Sequence, residues 1–126
     1  MSSPSYTILY VEDNELNMAL MEHIFKKIPH INLIGAASAE EGIEIAIDWQ
    51  PDIIFMDIQL PGMNGYEALE ELRRREETRH IPVLAVSSFA QKSDIEKGIQ
   101  AGFADYITKP FQVKAFKSLI EQWIKI

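Results

Sequence analysis

The stretch Ile53-Ile54-Phe55-Met56-Asp57, followed by Ile58-Gln59-Leu60-Pro61-Gly62-Met63-Asn64-Gly65, decides how the rest of the chain is read. Four apolar residues in succession suit a parallel strand covered on both faces, and the run stops at a carboxylate just before a Pro-Gly turn. Asp57 therefore closes a strand. The carboxyl ends of strands are where open α/β sheets bind ligands, which puts this acid at a functional edge. An Asp that merely caps the turn fits the stretch equally well. What separates the two readings is whether other strands bring matching groups to the same edge.

Working outward, Ile8-Leu9-Tyr10-Val11 reads as an earlier buried strand ending at Glu12-Asp13-Asn14, with Asn14 as a helix cap. From Glu15 to Ile28, Leu16, Leu20 and Ile24, with Met21, Phe25 and Ile28 beside them, follow helical spacing until Pro29. Asn32 to Ala36 forms a short strand through Leu33 and Ile34. Ser38 then caps a helix, with Glu41 at the capping-box position and Ile43, Ala46 and Ile47 inward, closed by Pro51. Beyond the central strand, Tyr66, Leu69 and Leu72 mark a helix. Pro82 opens the strand Val83 to Ser87, and Lys92 to Ala101 is a weaker helix held by Ile95 and Ile99, with Gly98 and Gly102 against it. Tyr106 to Thr108 is a brief strand before Lys109-Pro110, and Phe116, Leu119, Ile120, Trp123 and Ile124 stripe a last helix. Five β-α units imply a parallel sheet with right-handed crossovers. The expected fold is a flavodoxin-like, doubly wound (βα)5 sheet with strand order 2-1-3-4-5.

The 126 residues fit one domain spanning the chain, with residues 1–5 expected to form a flexible N-terminus. No apolar run approaches the ~18 residues of a membrane span. Met1-Ser2-Ser3-Pro4-Ser5 lacks the basic start and apolar core of a secretory signal, and the absence of cysteine excludes disulfides and thiolate metal sites. Together these set the expectation of a cytoplasmic protein. A net charge of −7 argues against a nucleic-acid partner, since such partners are met with a basic footprint. The one dense basic run, Arg73-Arg74-Arg75, is followed by Glu76-Glu77 and reads as a solvated helix end.

In this topology the first and third strands are neighbours, and Glu12, Asp13 and Asp57 meet at the switch point between them. Such crowding is costly: at ~5 Å and an effective dielectric of ~20, each carboxylate pair repels by roughly 3 kcal/mol. Either a proton is taken up, raising one pKa, or a hard cation is held. A carboxylate cluster with a backbone carbonyl and waters suits Mg²⁺, which is the favoured reading. The fourth and fifth strands deliver Ser87 and Lys109 to the same edge. A carboxylate beside Mg²⁺, flanked by an ammonium and a hydroxyl, can attack a phosphoryl group and hold the acyl phosphate formed. His23, His30 and His80 lack metal-ligand neighbours at suitable spacing and are read as structural or exposed.

Val11-Glu12-Asp13-Asn14, Met56-Asp57 through Leu60-Pro61-Gly62-Met63-Asn64-Gly65, Val86-Ser87 and Tyr106-Ile107-Thr108-Lys109-Pro110 resemble the receiver domain of two-component response regulators, from about Tyr6 to the C-terminus. The similarity extends to single-domain chemotaxis-type regulators and to hybrid-kinase receivers. It implies that Asp57 is the phosphoacceptor in a Mg²⁺-dependent reaction, with Mn²⁺ able to substitute. Asp13 would bind the metal directly, Glu12 directly or through water, and Gln59 through its backbone carbonyl. Lys109 would contact the phosphoryl group, Ser87 would turn inward after phosphorylation, Tyr106 would rotate with the switch, and the bond before Pro110 would be cis. Glu12 stands where Asp is more frequent, and Ser87 where Thr is. Ser88 is a neighbouring hydroxyl, but alternation along a strand assigns the role to Ser87. For Tyr106, plain core packing is the alternative.

The resemblance further implies a sensor histidine kinase or histidine phosphotransfer protein as phosphodonor, and a downstream protein target reading the face formed by helix 92–101, the fifth strand and the last helix. The chain would be a monomer or a weak phosphorylation-dependent dimer, with no nucleic-acid or membrane contact, and not an enzyme beyond assisting its own phosphorylation and dephosphorylation. A phosphohydrolase working through an aspartyl phosphate typically carries a second acid two residues after the nucleophile, where this chain has Gln59. A receiver-shaped module independent of phosphate would be expected to lose Asp57, Asp13 or Lys109, and all three are present. Both a free-standing receiver and one cut from a hybrid kinase or longer regulator fit the sequence.

Overall fold

The computed structural model describes residues 5–110 and 112–123. Strands and helices alternate throughout: β1 (Tyr6–Val11), α1 (Glu15–Lys26), β2 (Ile31–Ala36), α2 (Ala39–Trp49), β3 (Ile53–Asp57), α3 (Gly65–Arg74), β4 (Val83–Ser87), α4 (Lys92–Ala101), β5 (Asp105–Thr108) and α5 (Val113–Trp123). All strand pairs are parallel and the sheet order is β2-β1-β3-β4-β5, as the alternation of elements implies. β3 sits at the centre with every residue buried, and so does β4, which explains their unbroken apolar runs.

The two faces of the sheet carry separate cores. On one, Leu9, Val11, Ile54, Met56 and Ala85 meet α2 and α3 through Ile43, Ala46, Leu69 and Leu72. On the other, Ile8, Tyr10, Phe55 and Val86 meet α1 and α5 through Met21, Ile24, Phe25, Phe116 and Ile120. Phe116 seats α5 by touching Phe25 edge-on, with ring centroids 5.7 Å apart, and Phe55 at 5.0 Å. Such pairs add about 0.5–1.5 kcal/mol each beyond area burial. Asn14, Ser38 and Asn64 accept from the N–H groups of Asn17, Glu41 and Glu67, fixing where α1, α2 and α3 begin. Only the Asn64–Glu67 pair closes a reciprocal capping box of these three.

Three apolar assignments differ from the sequence reading. Leu16 and Leu20 do not face the core; Leu16 is 82% exposed, and α1 packs through Met21, Ile24 and Phe25. Ile24 belongs to both candidate stripes, and at 3.6 residues per turn Leu16 and Leu20 lie on the flank of α1 away from Met21 and Phe25. The helix also ends at Lys26, with Ile28 buried just beyond it. In α4, Ile99 is 46% exposed and Gly98 is the buried residue. A Cβ on Gly98 would stand 2.8 Å from the Tyr106 ring, so the glycine that weakens the helix signal is what lets α4 lie close on β5. Trp123 is partly exposed, and Ile124 and residues 1–4 lie outside the described residues.

Candidate functional site

The parallel register brings the strand ends into line. Val11 pairs with Met56, Asp57 with Val86 and Ser87 with Thr108, so Glu12, Asp57, Ser87 and Lys109 share one edge. Backbone bonds hold that edge: Glu12 N–H donates to Ala36 O, Ile58 N–H to Val86 O and Lys109 N–H to Ser87 O, at 2.9, 3.0 and 2.9 Å. The chain then turns back into α3 at Gly65, where a Cβ would lie 2.6 Å from the carbonyl oxygen of Asp57. Only glycine permits that close approach to the acid. The Lys109–Pro110 bond is cis.

Glu12 and Asp57 are each only 2% exposed, whereas Asp13 lies open to solvent. Carboxylate oxygens of all three lie within 4.8 Å of one another. Lys109 Nζ reaches both buried acids, at 2.7 Å from Glu12 Oε1 and 3.0 Å from Asp57 Oδ2. Gln59 N–H donates to Asp57 Oδ1 at 2.9 Å, and Asn14 N–H donates to Glu12 Oε2 at 3.2 Å. At an effective dielectric of ~20, two ionised carboxylates at this spacing repel by about 3 kcal/mol. Burial and the neighbouring Glu12 push the Asp57 carboxyl up to about 6. Burial acts on Glu12 in the same direction, but hydrogen bonds with Asp57, Lys109, Tyr10 and the Asn14 N–H outweigh it and hold Glu12 below its ordinary range. A proton entering the pair therefore goes to Asp57. Burial disfavours the Lys109 ammonium, yet its two carboxylate partners raise its pKa and keep it charged.

These residues fit a hard divalent cation. The donors are carboxylate oxygens without sulfur or imidazole, and they border an open cleft of about 530 Å³ lined also by Asn14, Asn17 and Gln59, roomy enough for the waters Mg²⁺ retains. Three carboxylates at −1 and one ammonium at +1 leave a net −2 when all are ionised, the charge one such cation neutralises.

Ser87 is fully buried at the end of β4; its Oγ accepts from Phe89 N–H at 3.0 Å and donates to Gln59 Oε1 at 3.3 Å. Ser88 differs from the sequence reading, which sent only one hydroxyl toward the site. Ser88 Oγ also donates to Gln59 Oε1, at 3.0 Å, because β4 ends at Ser87 and strand alternation no longer governs the next residue. The Tyr106 hydroxyl donates to Phe89 O at 2.8 Å, tying β5 to the loop that carries both serines. His23, His30 and His80 are exposed. Two participants escaped the sequence reading: the Gln59 side chain, considered there only as a non-acid with a useful carbonyl, and the Tyr10 hydroxyl, which donates to Glu12 Oε1 at 2.7 Å. The Tyr10 signal was available, since residues two apart on a strand share a face.

Residues 8–121 match the response regulator receiver domain family. The chain belongs to that family. Similar receivers include the polar-differentiation response regulator DivK of Brucella abortus and of Brucella suis, each 41% identical over 118 residues that cover 94% of this chain and 95% of theirs. Among solved structures, the receiver domain of a Pseudomonas aeruginosa sensor histidine kinase is 31% identical, with a TM-score of 0.87 over 97% of this chain and 99% of that one; it has a magnesium ion coordinated in its active-site cleft. Chemotaxis protein CheY4 of Vibrio cholerae, 19% identical with a TM-score of 0.87 over 95% of this chain and 99% of that one, shares the fold. The protein is thus a response regulator receiver, a signalling domain, with its acidic cluster at the strand edge where that fold binds ligands.

Proposed function

We propose that this receiver accepts a phosphoryl group on Asp57 from the phosphohistidine of a sensor kinase or phosphotransfer protein, in a Mg²⁺-dependent reaction. The observation that carries the reading is the Lys109 ammonium bridging the two buried acids, Glu12 and Asp57, with Asp13 beside them. Asp13, Asp57 and the Gln59 carbonyl are the ligands we assign to the cation, with Glu12 reaching it directly or through water. When bound, the cation screens the crowded acids and the phosphoryl oxygens. Asp57 must be ionised to react. One of its oxygens forms the new bond to phosphorus as the phosphorus–nitrogen bond breaks, and the electron pair leaves with the donor imidazole. Lys109 neutralises charge on the transferred group.

The same group then supplies acceptors that compete with Gln59 Oε1 for the Ser87 proton. Movement of Ser87 carries Phe89 with it and releases the Tyr106 hydroxyl from Phe89 O, which alters the face formed by α4, β5 and α5. A downstream protein reads that face. No helix among the described residues is long and apolar enough to cross a membrane, which is compatible with the cytoplasmic setting we assign.

The experiment is incubation with a small acyl phosphate, with and without Mg²⁺, followed by intact mass. Wild type gains one acid-labile phosphate only with the metal, and Asp57→Asn gains none. A phosphate retained in Asp57→Asn would refute the assignment.

A further inference from the structure

We propose that Tyr10 is a positioning residue whose hydroxyl holds Glu12 in place and thereby sets the affinity of the cation site. The inference rests on the Mg²⁺ reading above and concerns a residue outside the ligand set. Tyr10 is fully buried in β1, and its ring lies in the core formed by Ile8, Met21, Phe25 and Phe55. That packing fixes the ring while the hydroxyl emerges at the strand end. It donates to Glu12 Oε1 at 2.7 Å, the same oxygen that receives Lys109 Nζ at 2.7 Å.

Glu12 needs such a fixture. Its side chain carries one more rotatable bond than an aspartate, so a buried Glu has more conformations from which to be selected before it can serve a metal. Lys109 alone is a weak guide, because its flexible stem lets it follow either acid, and it is shared with Asp57 at 3.0 Å. The Asn14 N–H holds only the other oxygen, at 3.2 Å. On Oε1, where the other donor is the flexible Lys109, Tyr10 is the rigid one. Carboxylates that ligate metals are commonly oriented by such hydrogen bonds, and losing one typically weakens binding about 10- to 100-fold. A purely structural role, in which the hydroxyl simply finds a nearby acceptor for a core tyrosine, leaves metal affinity untouched.

Tyr10→Phe keeps the ring and its packing and removes only the hydroxyl. Mg²⁺ alone is the probe, titrated while the amide shifts of Asp13 and Gln59 are followed by NMR. The expected result is an affinity about tenfold below wild type. In phosphorylation by a small acyl phosphate, the Mg²⁺ half-saturation point rises by a similar factor while the rate at saturating Mg²⁺ is retained. In a Glu12→Ala background, Tyr10→Phe should change the affinity no further, since its effect passes through Glu12. Unchanged affinity in Tyr10→Phe, or an equal loss with and without Glu12, overturns the inference. Failure of the wild type to bind Mg²⁺ at all overturns instead the metal reading beneath it.

Discussion

The Lys109 ammonium lies 3.0 Å from Asp57 Oδ2, although the two residues are 52 positions apart in sequence. For the phosphotransfer proposed above, the counter-charge would be in place before the reaction, so little reorganisation would be needed when charge arrives. Lys109→Ala leaves Glu12 and Asp57 buried without their cation, and breaking a buried pair from one side costs about 3 kcal/mol. Both acids would then have raised pKa values, a contribution that favours the fold at low pH and is lost as pH rises. Urea unfolding should show a larger deficit for Lys109→Ala at pH 8 than at pH 5.

Asp57 itself gives a second pH signature. Its carboxyl is pushed from 3.8 to about 6, so the folded state holds a proton that the unfolded chain releases. A raised folded pKa means stability that is full below about 4 and is lost as pH climbs through 6, by about 3 kcal/mol for a shift of this size. Asp57→Asn removes the penalty. In Mg²⁺-free buffer its advantage over wild type should grow between pH 4 and 6.5 and then level off. A flat difference across that range would contradict the proton assignment.

Leu16 stands 82% exposed on the rim of the acidic cleft. An apolar side chain there is in position to be covered by the phosphohistidine donor proposed above. Leu16→Ala should leave stability within about 0.5 kcal/mol of wild type, the usual range for exposed positions. It should slow phosphotransfer from a protein donor several-fold while leaving phosphorylation by a small acyl phosphate unaltered. Comparing the two donors on one variant checks it.

The central architecture could be read from the chain because buried parallel strands announce themselves as apolar runs, as at Ile53 to Met56 and Val83 to Val86. The site followed from it, since Glu12, Asp57, Ser87 and Lys109 each stand at a strand end. Side-chain detail was less legible. Leu16, Leu20 and Ile24 satisfy helical spacing as well as Met21, Ile24 and Phe25 do, and only the face that α1 turns to the sheet chooses between them. Gly98 spoke against a helix locally yet is the contact that seats α4 on Tyr106. The Gln59 amide joins both serines through a turn whose geometry no periodicity encodes.

That amide makes the two serines separable by experiment. Ser87 is buried and bonded on both sides, to Phe89 N–H and Gln59 Oε1, whereas Ser88 is exposed. Ser87→Ala should still accept phosphate on Asp57 but lose one hydrogen bond of the active state, worth ~1.5 to 3 kcal/mol to a charged acceptor, or about ten- to a hundredfold in the active-to-inactive ratio. Ser88→Ala should respond almost as wild type. The measurement is the change in NMR shifts over residues 92–123 on adding a phosphoryl mimic. A full wild-type response in Ser87→Ala would transfer the coupling role to Ser88 or to the backbone.

The most direct test of the phosphoacceptor claim is chemical trapping. After reaction with a small acyl phosphate and Mg²⁺, borohydride reduces an aspartyl phosphate to homoserine, and peptide mass spectrometry reads the position. The expected product carries homoserine at position 57 alone, and only when Mg²⁺ is present during phosphorylation. Reduction at Asp13 or Glu12, or phosphate found intact on Ser87, Ser88 or His80 with residue 57 unmodified, would contradict it.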